Sequence, residues 1–192
     1  MSLLANAEEL EKLLLELKQQ QKRPPIHTWQ PPSTGHSKMT IRRDGSWWHD
    51  GGEIKRLALR QLFAQILRKE EDGQYYLVTP VEKQTVTVED SPFLITEVIQ
   101  IPAAENERFP RLVFVTNMAE KVILSDEHPF WFEAAKNGDE VPYVLVREGL
   151  SARIPTEVYY QCVALLREIK KEDDTTEWWL VSGDYAVCLG AM

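Results

Sequence analysis

The chain has 192 residues, 43% of them hydrophobic and 27% charged, which is the composition of a folded protein with length for one large domain or two small, closely packed ones. A formal charge of -8 and a pI near 5.1 exclude a general nucleic-acid binder, whose affinity rests on an excess of Lys and Arg, while leaving room for a local basic site. No apolar run approaches the ~20 residues that span a bilayer, and acids stand where a signal peptide would begin with bases, so a soluble, cytoplasmic protein is expected.

In chain order, residues 1–37 combine two elements. Leu3, Ala7, Leu10, Leu14 and Leu17 recur at spacings of three and four, which predicts an amphipathic helix docked on the protein's own core or serving as a dimer or partner helix. Pro24, Pro25, Pro31 and Pro32 then impose an extended linker, pinned to the body by Ile26 and Trp29. From Met39 a strand, a tight turn at Asp44-Gly45-Ser46 and a return strand through Trp47-Trp48 are expected. Gly51-Gly52 breaks the chain before a helix from about Glu53 to Lys69, marked by Ile54, Ala58, Leu62 and Ile66 and stopped by Asp72-Gly73. YYLVTPV and EKQTVTVED continue as strands, followed by SPFLITEVIQIP, RLVFVTN, EKVILS and PFWFE.

The last third repeats the earlier order: strand, Arg-Glu-Gly turn, strand, helix, acidic turn, aromatic-pair strand and terminal strand. At one offset Arg43, Asp44, Gly45, Glu53 and Ile54 match Arg147, Glu148, Gly149, Glu157 and Val158, and past the helix Tyr75-Tyr76-Leu77-Val78 faces Trp178-Trp179-Leu180-Val181. The expected organisation is therefore α+β with duplicated ββαββ units. The first unit spans 38–88, and 89–192 form a β-rich domain containing the second at 141–192.

IRRDGSWWHDGGEIKR, LRKEEDGQYYLVTPVEK, FVTN, HPFWF and YVLVREGL, with the closing WWLVSG, resemble the bacterial family of unknown function DUF1285. The resemblance runs from about Ile41 to the C-terminus. It implies a duplicated α+β core whose C-terminal part is a pleckstrin-homology-like barrel or curled sheet with a helix. It also implies a small-ligand site, for a nucleotide-like molecule, near the interface of the two parts, and a role in signal transduction.

The residues themselves carry no HExxH, GxSxG, GxGxxG or GxxxxGK[ST] motif. His27, His36, His49 and His128 are scattered, and Cys162 and Cys188 lack metal spacing, so no metal or cofactor is expected and both thiols are read as free and buried. Between Lys38 and Lys69, basic residues outnumber acids although the chain is acidic, a pattern that selects a single anionic ligand or simply marks a solvated helix face. The Gly51-Gly52 turn before a helix N-terminus, with Lys55 and Arg56 in the first turn, favours an anion. Trp47 and Trp48 face opposite sides of a strand, so one fills the core and the other either packs or offers a stacking surface. His49 can donate to a phosphate or be merely solvated. Lys83 and Asn117 stand at strand ends, from which side chains reach clefts, and Asn117 also reads as a turn former. His128, before Pro129, belongs to a turn.

The leading expectation is a non-enzymatic ligand-binding or sensor protein that holds a small anionic, nucleotide-like ligand between the two domains through Arg43, Trp48, His49, Lys55, Arg56, Lys83 and Asn117. The alternative is a protein–protein interaction module acting through a sheet edge or the leucine helix, with a homodimer as one form. A hydrolase or transferase with a site unrecognisable in sequence is the third.

Overall fold

The computed structural model describes Leu15 and residues 23–103, 105–135, 138–171 and 175–191. Except for Leu15, the expected leucine helix lies outside them, as does the acidic turn at Glu172-Asp173-Asp174. The described chain is α+β and mostly β: two six-stranded mixed sheets, a three-stranded sheet and two α-helices.

The first sheet contains β1 (Ser33–Ile41), β2 (Trp47–His49), β3 (Gly52–Glu53), β4 (Leu67–Lys69), β5 (Tyr75–Val78) and β6 (Glu82–Val88), ordered β3-β2-β1-β6-β5-β4. β1 begins inside the stretch expected as linker, because Ser33–His36 find parallel partners in Glu82–Thr85. A bulge then follows, with Lys38 at φ 53. The linker is pinned as its apolar residues predict: Ile26 is buried in a short 3-10 turn, and the Arg68 guanidinium donates to the carbonyls of Ile26 (2.7 Å) and Trp29 (2.9 Å).

α1 (Leu57–Gln65) is shorter than the sequence pattern indicates. Glu53 is taken by β3, opposite Trp48, and the Ile54 N–H donates to Trp47 O at 2.7 Å, so the chain is still in sheet where the helix was expected to begin. At the other end Leu67–Lys69 pair with Leu77–Tyr75 as β4. The fourfold apolar series finds the buried face in part: Ile54 and Ile66, on either side of α1, pack against the core, while Ala58 and Leu62 within it are exposed. Ala64 is the buried position of α1, while Leu57, Leu59 and Leu62 are exposed.

The second sheet is built from β7 (Phe93–Ile101), β8 (Arg111–Thr116), β9 (Lys121–Ile123), β10 (Phe130–Ala134), β11 (Glu140–Arg147) and β12 (Leu150–Arg153), in the order β10-β11-β12-β7-β8-β9. α2 (Thr156–Val163) follows, then β13 (Arg167–Lys170), β14 (Thr176–Ser182) and β15 (Tyr185–Ala191) as the third sheet. Each helix is thus followed by three strands where two were expected, the extra ones (β4 and β13) being short charged runs that read as helix ends. The wiring also differs. β4–β6 join β1 in one sheet, whereas β13–β15 form a sheet apart from β11 and β12.

One apolar core runs through all three sheets, with Trp47, Ile41, Phe93, Ile95, Phe114 and Leu180 at its centre. Cys162 is sealed in it, and burial pushes its thiol up to about 12. Cys188, expected to be buried, is exposed: on β15 the alternation turns Tyr185, Val187 and Leu189 to the core and Cys188 outward.

Candidate functional site

The parallel register of β1 on β6 sets Ile41 opposite Val88, so the two chains leave the sheet side by side. The Glu89 N–H then donates to Ile41 O (3.0 Å), and the Arg43 N–H to Glu89 Oε2 (3.0 Å), which delivers the Arg43 side chain to Asp90. From the other half, β12 pairs with β7 in parallel, Arg153 opposite Leu94, and with β11 antiparallel, Arg153 opposite Tyr143. Ser91 Oγ donates to Ser151 O at 2.7 Å and ties the junction.

These registers converge on the Asp90 carboxylate, which is 15% exposed. Tyr143 Oη donates to it at 2.6 Å, the Arg153 guanidinium reaches it at 3.3 Å, and Arg43 Nε stands 3.7 Å away. Together they line a cavity of about 440 Å³, closed by Glu133 and Asp139. Trp131 stacks on Tyr143 at 5.9 Å and gives its Nε1 proton to Glu133, fixing that wall. Burial, then the Asp90 carboxylate, drives the Tyr143 phenol well above the usual tyrosine range, so it remains a donor. Two features mark unspent binding capacity. The Arg43 side chain is 67% exposed with a single long ion pair, and the buried Nε of Arg153 has no hydrogen-bond partner. An unsatisfied buried donor costs roughly 1–3 kcal/mol, which an incoming acceptor would recover.

Among the seven residues expected to form the site, Arg43 lines this cavity and the others are distributed elsewhere. Trp47 fills the core and Trp48 is the half-buried partner, as strand alternation requires, but Trp48's face is covered by the Arg42 guanidinium at 3.7 Å and its Nε1 donates to Ser46 Oγ. His49 is exposed at the end of β2. Gly51-Gly52 lead into β3 rather than a helix, which moves Lys55 and Arg56 out of a first turn: Lys55 precedes α1, and Arg56 is its N-cap without a side-chain capping bond. Lys83 is committed to Glu70, which also binds Arg68, and lies over the Tyr76 ring at 4.5 Å. Burial would raise the Glu70 carboxyl, but Lys83 and Arg68 outweigh it and hold the group below its ordinary value. Asn117 is a clamp in a turn: Oδ1 accepts from the Leu94 N–H (3.2 Å), and Nδ2 donates to Gly45 O (3.3 Å), fastening the first hairpin to β7.

The sequence reading missed Asp90, Tyr143 and Arg153. The available signal was position: Asp90-Ser91-Pro92 follows the last strand of the first sheet, where the chain must pass between its two halves. Arg153 carried no signal of its own beyond lying in the second copy of the hairpin, where the offset that sets Gly45 against Gly149 puts it opposite His49.

Among the described residues no cluster of three or more His, Cys, Asp or Glu could hold a metal, and no helix is long and apolar enough to cross a membrane. The chain is similar to two solved structures. One is a DUF1285 family protein from Silicibacter pomeroyi DSS-3, 30% identical over 88% of this chain and 95% of that one, with a TM-score of 0.69. The second, a DUF1285 family protein from Shewanella baltica OS155, is 26% identical over 66% of this chain and 90% of that one, with a TM-score of 0.51. No curated protein matches. Residues 24–91 match the N-terminal domain of the domain of unknown function DUF1285 and residues 92–187 its C-terminal domain, so the chain belongs to the DUF1285 family.

Proposed function

We propose that the protein is a non-enzymatic ligand-binding or sensor protein that holds a small anionic ligand in the cavity between its two halves, and that binding feeds a signalling role in the cytoplasm. The observation that carries this reading is the pair of guanidiniums, Arg43 from the first hairpin and Arg153 from β12, sharing one carboxylate at a cavity large enough for a small metabolite. A planar guanidinium fork suits carboxylate or phosphate oxygens. Glu133 and Asp139 in the same wall oppose a second negative charge and favour a ligand with donors at its other end, as a nucleobase or amine provides. Reading the core as a duplicated ββαββ unit, and the C-terminal part as pleckstrin-homology-like, also belongs to this proposal. What supports the former is the recurrence of element order and of Gly45 and Gly149, both at φ 77.

The test is thermal unfolding with nucleoside monophosphates, phosphorylated sugars and amino acids. At least one compound raises the midpoint of wild type, and Arg43→Ala with Arg153→Gln removes the rise, while Lys55→Ala with Arg56→Ala keeps it. Loss of the rise in the Lys55/Arg56 variant instead would move the site to the helix start. A protein interaction module is the second reading, favoured by β15: among the described residues it pairs only with β14 and carries no charged residue, which leaves a strand edge open. Light scattering that shows dimers for wild type and monomers for Cys188→Lys would bring this reading forward.

A further inference from the structure

We propose that the outer face of the three-stranded sheet is a second binding site, for a small planar aromatic anion. A cavity of about 560 Å³ opens there, walled by Trp179 and Val181 of β14, Arg167 and Ile169 of β13, and the loop residues Arg108 and Phe109, with Glu168 and Asp184 also on its lining, so an anion is held at the arginine end rather than by the net charge of the wall. The wall is preformed. The Gly183 N–H donates to Pro110 O at 3.1 Å and Leu112 N to Ser182 Oγ at 3.0 Å, which binds the loop carrying Phe109 to the β14–β15 hairpin. Arg111 Nε holds Glu107 at 2.6 Å and fixes the same loop from its other side.

Both guanidiniums rest on one ring: the Arg167 carbon lies 4.4 Å from the Phe109 centroid and the Arg108 carbon 5.1 Å from it. Among the described residues neither has a carboxylate partner, although Arg43, Arg68, Arg111, Arg147 and Arg153 each have one. Two like charges gathered around one aromatic ring repel each other, and an anion close to both offsets that repulsion. Beside them Trp179 is half-buried, with its Nε1 held by Glu177 at 3.0 Å, so its indole presents a rigid flat surface. Antiparallel register sets Arg167 directly opposite Trp179, placing cation and ring at one level of the sheet. Flat apolar surface next to two guanidiniums without carboxylate partners selects a ligand that is both planar and anionic; either property alone leaves half of the site unused. This site shares no residue with the Arg43–Arg153 cavity.

The test follows the six indole N–H resonances of the full chain by nuclear magnetic resonance during titration with naphthoate, with the Trp179 signal assigned through Trp179→Phe. Naphthoate shifts that signal saturably. Neutral naphthamide and non-planar cyclohexanecarboxylate each bind at least about tenfold more weakly, the scale of losing one strong contact. Arg108→Gln with Arg167→Gln, two exposed positions whose replacement preserves the fold, abolishes the shift, and Arg43→Ala with Arg153→Gln leaves it intact. An unmoved Trp179 signal, naphthamide binding equal to that of naphthoate, or unchanged affinity in the Arg108/Arg167 variant would each overturn the proposal. Failure here leaves the Arg43–Arg153 reading standing, since that reading is tested with different variants.

Discussion

The two hairpins that share the Arg-acid-Gly turn put the same arginine to opposite uses. Arg43 in the β1–β2 turn is 67% exposed and holds Asp90 at 3.7 Å, whereas Arg147, at the corresponding place between β11 and β12, is 10% exposed. Arg147 Nε meets Glu120 at 3.1 Å, its Nη2 donates to the Ala64 carbonyl at 2.7 Å, and its guanidinium lies over Phe93. Burial pulls the Arg147 pKa down, and Glu120 opposes that pull. A motif therefore does not determine whether a charge is structural or available; the number of satisfied partners around it does. Arg147 is spent on joining the end of α1 to β8–β9, and Arg43 retains most of its donors.

The comparison breaks first at Arg147→Ala, which strips Glu120 of a buried partner and leaves it with Arg23 at 2.7 Å. Because Arg23 still neutralises Glu120, the loss is about 1.5–3 kcal/mol in urea unfolding, the scale of a hydrogen bond to a charged group, while Arg43→Ala changes the same measurement by less than ~0.5 kcal/mol. Equal losses would mean that both arginines are structural. The glycines sharpen the contrast. At Gly45, a Cβ would lie 2.7 Å from Asn117 Nδ2 and 2.8 Å from a Leu94 methyl, but at Gly149 the nearest atom is Lys69 Cδ at 3.8 Å. Both alanine substitutions incur the positive-φ cost of about 1–2 kcal/mol, and overpacking adds about 1–3 at Gly45 alone. Urea midpoints should rank wild type above Gly149→Ala and Gly149→Ala above Gly45→Ala.

Asn117→Ala, which releases the first hairpin from β7, costs about 1–2 kcal/mol for two hydrogen bonds. It should also raise hydrogen exchange at the Leu94 amide; unchanged exchange would show that the clamp is dispensable. The smallest effect at ordinary pH concerns α2, which follows the second hairpin. The Cys162 thiol is raised from 9.0 to about 12 in the fold, so its contribution is fully present below pH 9 and is lost as pH rises toward 12. Tyrosines titrate in the same window, so the comparison is made with Cys162→Ala, whose stability should fall less steeply there. At neutral pH iodoacetamide should label Cys188 alone in the native protein; labelling of Cys162 would mean that α2 opens.

Strand positions were legible in the sequence because their signal is local. YYLV, RLVFVT and PFWFE alternate or cluster apolar residues between turn formers, and β5, β8 and β10 cover them. Both Gly turns were legible for the same reason. The helix limits were not, since Glu53-Ile54 and Leu67-Arg68-Lys69 are as compatible with a helix as with the strands that claimed them, and the choice was made by hairpin pairing with the neighbouring strands β2 and β5 rather than by their own pattern. The candidate site followed this rule. Arg43 could be singled out by its charge in a turn, but Asp90, Tyr143 and Arg153 meet it only through two parallel pairings, β1 with β6 and β12 with β7, whose registers leave no trace in local periodicity. Lys83 illustrates the converse: its strand-end position was read correctly, and Glu70, 13 residues away in sequence but adjacent in space, occupies its charge.

The most direct measurement is calorimetric titration of wild type and the Arg43→Ala, Arg153→Gln variant with whichever nucleoside monophosphate, phosphorylated sugar or amino acid raises the thermal midpoint. The account predicts saturable binding to wild type, weakened at least about a hundredfold in the variant as two charge-assisted contacts are lost, with its urea stability nearly unchanged. Equal affinity in the two proteins, or a panel in which no compound binds, would contradict it.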